Sequence, residues 1–409
     1  LDRPVKVAVW GAGNRGFRYA SYAAAHPEEL QVMAVAEPRP AYRERFARAH
    51  KLPPAYCFQD WREALEEQPE VEAVFICTPD RQHTEPFMAA VAAGYHVLVE
   101  KPLAPTVEEC RRMVAATENT QGIVAVGHVL RFAPFWQEVK RIVASGELGE
   151  IQAIQHLEPV NYWHFAHSYV RGNWRREDES GPLFLTKACH DTDLLGWLTG
   201  RRCLSVISLG GLNHFTAEHA PSGAPDRCLD NCPAEAECPY SALKLYLNPA
   251  LTDWPVDVIA TDLSREGRLQ ALAEGPYGRC VYHCDNTVPD VQTALFEFEG
   301  GITAALTVSA FTQGHRTIRI MGSAGELLGD SHTIQVYDFR RGLKRRYTIP
   351  QPAEGHYGGD FGLVRAFIRA IREEKHYPLA SPAEVLQSHL MSLAAEESRR
   401  AGGKRIELE

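Results

Sequence analysis

Residues 5–16, VKVAVWGAGNRG, join an apolar run to three glycines spaced Gly11-x-Gly13-x-x-Gly16. At this spacing the first glycine permits a tight turn, the second lets backbone approach a pyrophosphate, and the third lets helix and strand pack closely. Residues Asn14–Ala25 read as the following helix, whose unpaired first N–H groups and dipole favour a phosphate. The next apolar run, Gln31–Ala36, ends in Glu37, 21 positions after Gly16. A carboxylate there accepts hydrogen bonds from ribose hydroxyls and repels a 2′-phosphate, so NAD is favoured over NADP. Arg39 qualifies that preference, since a guanidinium could receive the phosphate if Glu37 swung aside.

Chemistry of this kind needs a parallel sheet to hold it. Apolar runs at Val5–Val9, Gln31–Ala36, Tyr56–Phe58, Ala73–Cys77, His96–Val99 and Ile123–Val126 alternate with helical stretches at Pro40–Lys51, Trp61–Gln68 and Gln82–Ala93. Thr106 caps a further helix. The alternation predicts six parallel strands with right-handed crossovers, a doubly wound α/β domain over residues 1–127. Ligands of such sheets sit at the strands' carboxyl ends, and Thr78-Pro79 and Glu100-Lys101-Pro102 both fall there.

The chain resembles the glucose–fructose oxidoreductase / inositol dehydrogenase (Gfo/Idh/MocA) family. The resemblance rests on GAGNRG at 11–16, CTPDRQH at 77–83, AAGYHVLVEKPLA at 92–104, VGHVLRF at 126–132 and HDTD at 190–193. It implies a nicotinamide held by Gly11, Gly13, Asn14, Arg15, Gly16, Glu37, Arg39, Thr78, Pro79, His83, Glu100, Lys101 and Pro102. It also implies a C-terminal α+β domain, residues 128–409, built on a large open antiparallel sheet that commonly packs against another subunit. In the family the lysine of EKP, here Lys101, reaches both the nicotinamide ribose and the reacting hydroxyl. An ammonium near a cationic ring and partly desolvated has its pKa lowered, which suits proton exchange near neutrality.

Residues Gly181–Thr199 read as one helix carrying a second catalytic patch. Many relatives place an aspartate four positions before the histidine, but here that position is Thr186, with Lys187 one residue later and three before His190. His190 and Lys187 are the expected partners of Lys101. Asp191 lies about 100° round the helix from His190 and cannot simply replace the missing acid. Substrate contacts are expected from His128, Arg131 and Asp191, and from His164, Tyr169, Arg171 and Trp174 in the aromatic, basic stretch 161–176. A subunit interface would enrich the same residue types.

Cys228, Cys232 and Cys238 form C-x3-C-x5-C in an insert spanning about residues 220–284, and Cys280 begins an apparent strand further on. Four thiolates suit a closed structural zinc site. Their spacing matches none of the common iron–sulfur runs, and reduced buried thiols or one labile disulfide remain alternatives.

The 409-residue chain exceeds a single-core size and carries a net charge of −9, which argues against a nucleic-acid partner. No apolar run approaches the ~18 residues of a bilayer span, and ten cysteines are too few for a secreted disulfide scaffold. A cytoplasmic homodimer or homotetramer without membrane contact is the expectation, with no leader before the first strand. The leading function is NAD-dependent hydride transfer at a secondary carbinol of a sugar, cyclitol or glycoside. The alternative is redox-neutral glycoside cleavage by transient oxidation, elimination and re-reduction. A third reading is a dinucleotide-binding redox sensor.

Overall fold

The strands of the first half are almost wholly apolar, as parallel strands covered on both faces must be. In the computed structural model, which describes residues 3–67, 69–352, 355–373 and 379–408, they are β1 (Val5–Trp10), β2 (Leu30–Ala36), β3 (Cys57–Phe58), β4 (Ala73–Ile76), β5 (His96–Val99) and β6 (Val124–Val126). All pair in parallel in the order β3-β2-β1-β4-β5-β6. The order reverses beside β1, leaving a crevice at the carboxyl ends of β1 and β4. The expected helix Trp61–Gln68 is observed over Trp61–Glu66, and Gln68 lies outside the described residues.

The second half holds β7 (Ile151–Pro159), β8 (Cys203–Gly211), β9 (Val291–Phe298), β10 (Ile302–Ser309), β11 (Thr317–Gly322), β12 (Gly325–Gly329), β13 (Thr333–Asp338), β14 (Leu343–Thr348) and β15 (Ile406–Glu407). They form one sheet in the order β14-β13-β12-β11-β7-β10-β9-β8-β15. It is antiparallel except where β7 pairs with β10 in parallel. That pairing follows from chain order, because β7 is inserted between two later strands. One face carries Phe296, Leu306, Ile320 and Val336 into a core shared with Leu195 and Met391 of the covering helices. The other leaves Leu209, Leu295, Leu328 and Tyr337 exposed.

Two helices near the C-terminus tie the halves together. Leu363 and Phe367, on the helix Gly359–Glu373, share a core with Val7 and Phe75. The helix Pro382–Arg400 starts with a Ser381–Glu384 capping box, packs Val385 against the parallel sheet, and carries Met391 into the second core.

The stretch Gly181–Thr199 is not one helix. It forms Leu183–Thr186 and Cys189–Thr199, with Lys187 and Ala188 between them. This break decides much of the site.

Candidate active site

A cleft of about 2050 Å³ opens at the carboxyl ends of the parallel strands and is lined from both halves of the molecule. Gly11, Gly13, Asn14, Glu37, Arg39, Thr78, Pro79, Glu100 and Lys101 line its first wall. Gly11 has φ +100°, and a Cβ there would stand 2.4 Å from the Cys77 carbonyl oxygen. At Gly16 a Cβ would stand 2.0 Å from the Gly11 carbonyl oxygen. Both glycines are demanded by the protein's own packing. Gly13 differs, because a Cβ there would meet only the tip of Arg39, at 3.7 Å. Its bare backbone opens a cradle at the start of the helix Asn14–Ala25, as a dinucleotide pyrophosphate requires. The residues fit NAD.

Glu37 sits at the tip of β2 and is buried. Its carboxylate accepts from Ala12 N at 2.9 Å and from Arg39 Nε and Nη2 at 2.6 and 3.0 Å. Burial opposes its ionisation, but the Arg39 guanidinium and the backbone donors hold its pKa below the usual range. Acid and arginine thus act as a pair rather than as alternatives.

Four expected cofactor contacts have other work. Arg15 lines the cleft, yet its guanidinium is spent on Glu100 at 2.6 Å and on Asp360 at 2.8 and 3.1 Å. Gly16 and Pro102 are buried behind the cleft wall. Buried His83 places its two ring nitrogens 2.7 Å from the Pro102 carbonyl and 2.9 Å from the Thr78 carbonyl. It braces the two strand-end motifs against each other.

Lys101, at the end of β5, reaches across the cleft. Its Nζ donates to the Thr186 carbonyl at 2.7 Å. That carbonyl is presented where the helix breaks. The same break sends the Lys187 side chain towards β7, where Nζ lies 3.2 Å from Glu158 Oε1. Burial lowers the Lys187 pKa, opposed chiefly by Glu158 and assisted by Arg316 and Lys101. Arg316 joins the cluster, 2.5 Å from Glu158 Oε2 and 2.7 Å from Asp191 Oδ1. His190 lines the cleft, its ring against the buried ring of His128 and the partly exposed ring of His356. Burial and then the Lys101 charge push its pKa well below the ordinary value, so it is a neutral imidazole.

His164, Tyr169 and Trp174 also line the cleft. Their segment is a helical turn, Tyr162–Phe165, continued by a wider π-type turn, Ala166–Arg171, a form frequent at functional sites. Trp174 Nε1 donates to Asp80 Oδ2 at 2.9 Å, joining the two walls. Burial pushes the His164 pKa well down, with Lys187 the next cause.

The other expected substrate residues lie elsewhere. Arg131 makes a bidentate buried pair with Asp193, at 2.6 and 2.7 Å. His128 is buried behind His190, against His389. Asp191 is fully buried and holds His156 and Arg316. Arg171 turns away to the cysteine insert, donating to the Arg279 and Tyr240 carbonyls. Polar types in these motifs serve the scaffold because buried charge must be paired. The zinc expectation is not supported. Among the described residues no group of three or more His, Cys, Asp or Glu side chains converges to hold a single metal ion.

Sequence reasoning missed Glu158, Arg316 and Asp80. For Glu158 a signal existed: Ile154, His156 and Glu158 alternate on the inward face of β7, an odd place for a carboxylate without a cation. Arg316 precedes β11, and only the sheet's pairing brings it to the site.

Residues 5–128 match the model of an oxidoreductase family with an NAD-binding Rossmann fold, and residues 136–230 match the GFO/IDH/MocA C-terminal domain. The chain belongs to the Gfo/Idh/MocA oxidoreductase family. This Gfo/Idh/MocA chain is 28% identical over 210 residues to scyllo-inositol 2-dehydrogenase (NAD(+)) of Bacillus subtilis, covering 51% of this chain and 58% of that protein. It is 34% identical over 135 residues to 1,5-anhydro-D-fructose reductase of Ensifer adhaerens, covering 32% and 39%. The matched stretches thus span about half the length of those relatives. Levoglucosan dehydrogenase in complex with NADH has the same fold, with TM-score 0.73, 20% identity and 100% of both chains covered. So does an inositol dehydrogenase homolog complexed with NAD+ from Azotobacter vinelandii, with TM-score 0.71, 17% identity, and 99% and 98% covered.

Proposed function

We propose that this protein is an NAD-dependent dehydrogenase acting on a secondary hydroxyl of a sugar, anhydrosugar or cyclitol. The carrying observation is Lys101 Nζ at the junction of the cradle and the second wall, held by the Thr186 carbonyl. NAD, when bound, supplies the ring that exchanges hydride with the substrate carbon. Lys101 holds the reacting hydroxyl and takes or returns its proton. Neutral His190 offers a second acceptor beside it, and the Lys187–Glu158–Arg316 cluster fixes the charge of the facing wall. His164, Tyr169 and Trp174 present flat faces for C–H surfaces. The named activities of the similar inositol, levoglucosan and anhydrofructose enzymes agree with such a substrate.

NADH formation on a panel of inositols, levoglucosan and free aldoses tests this reading. Stoichiometric NADH supports it. Aglycone release from glycosides without net NADH, with deuterium taken up from solvent, supports redox-neutral cleavage instead. Coenzyme binding with no turnover on any of these substrates would favour a sensor.

The exposed Leu209, Leu295, Leu328 and Tyr337 on the open sheet face support a homo-oligomer formed through that face. Ten free cysteines suit a reducing cytoplasm, and no described helix is long and apolar enough to cross a membrane.

A further inference from the structure

Cys228, Cys232, Cys238 and Cys280 come from separate turns of the insert, yet all four line one small cavity beside Tyr240 and Arg171. Cys284 does not; its thiol donates to the Cys280 carbonyl at 3.2 Å. All five thiols are free. A tetrahedral zinc with 2.3 Å bonds would bring its sulfurs to about 3.8 Å of one another. Among the described residues no group of three or more His, Cys, Asp or Glu side chains is placed to hold one such ion. Four thiolates spread round a cavity instead suit a core in which the sulfurs bind different irons.

Arg171 supplies a second, independent observation. It is 1% exposed, and Nε and Nη2 donate to the Arg279 and Tyr240 carbonyls, with Cys228 Sγ 3.7 Å from Nη2. Its Nη1 is buried and meets no hydrogen-bond acceptor in good geometry, with the Tyr246 hydroxyl its nearby neighbour. A buried charged donor without an acceptor costs more than a neutral one and calls for an anion.

We propose that Cys228, Cys232, Cys238 and Cys280 ligate an iron–sulfur cluster, with Arg171 Nη1 donating to its sulfurs. Each cysteine loses its thiol proton and forms one Fe–S bond. An oxidised core carrying two positive charges then leaves the four-thiolate cluster with two negative ones, which the guanidinium partly offsets. Acquisition by exchange from a thiolate-ligated cluster changes no iron oxidation state, because each departing thiolate takes up one cysteine proton. Arg171 ends the segment that carries Ser168 and Tyr169 into the cleft, so the cluster would brace the substrate wall.

The test is the full chain produced with added iron and purified without oxygen, with iron, acid-labile sulfide and zinc quantified. Equal iron and sulfide with broad visible absorption is expected, and both should be lost in Cys232→Ala and Cys238→Ala. Cys284→Ala should keep them. Zinc without sulfide, absence of metal, or equal loss in Cys284→Ala overturns the proposal. Wild-type content decides it even if a variant fails to fold, and it does so independently of dehydrogenase activity.

Discussion

Replacing Glu158 by Gln removes the carboxylate that Lys187 and Arg316 share while keeping its shape. At 3.2 Å and an effective dielectric of about 20, the Glu158–Lys187 pair interacts by roughly 5 kcal/mol. Arg316 competes for the same carboxylate and Asp191 stays nearby, so only a part of this, about 1–4 kcal/mol, should be lost in the variant. Burial already sets the Lys187 pKa below the ordinary amine value, and losing Glu158 lowers it further. Between the lowered value and about 10.4, the unfolded chain binds a proton that the native chain lacks, so stability rises with pH. In Glu158→Gln that window extends to lower pH. Urea unfolding of wild type and variant from pH 6 to 10 should show a penalty that is largest at the acid end and shrinks as both proteins lose the Lys187 proton. In a Lys187→Met background the penalty should be flat with pH. A pH-independent penalty in the Lys187-containing protein would refute the coupling.

Gly13→Ala should fold and lose coenzyme affinity, whereas Gly16→Ala, with its Cβ 2.0 Å from a carbonyl oxygen, should lose stability; thermal melts and NADH fluorescence separate the two. Arg131→Met leaves Asp193 buried and unpaired and should cost about 3–5 kcal/mol in denaturant unfolding while leaving KM unchanged in the folded fraction. Because burial holds His190 neutral, the kcat/KM profile should show no ionisation of that group between pH 6 and 7, and His190→Asn should leave the profile's shape there unchanged.

The nucleotide half was legible because a parallel sheet writes itself locally. Apolar runs, a glycine triplet and regular helical spacers are all near neighbours in sequence, and β1 to β6 appear where those runs stand. The placement of Glu37 and Lys101 at the cleft was legible for the same reason, since both lie at strand ends. The facing wall was not legible. Lys187 was counted on a continuous helix, but the chain breaks at Lys187 and Ala188 and hands the Thr186 carbonyl to Lys101. An acid, Glu158, does stand beside Lys187, yet it arrives from a strand 28 positions before Thr186 in the chain. Arg131 and Arg171 have the composition of ligand contacts and the surroundings of buried staples. Only three-dimensional pairing separates those roles. The cysteines met at one cavity as their sequence clustering suggested, but not in the geometry a single zinc requires.

Turnover in Lys101→Met, set beside its NADH affinity, tests the proposed chemistry most directly. Binding measured by nicotinamide fluorescence should stay near the wild-type value, because the glycine cradle and the Glu37–Arg39 pair are untouched. NADH formation on the best polyol should fall by about 10²–10⁴-fold, the ordinary worth of a positioned acid–base group. Near wild-type turnover in a variant that still binds coenzyme would contradict the role given to Lys101.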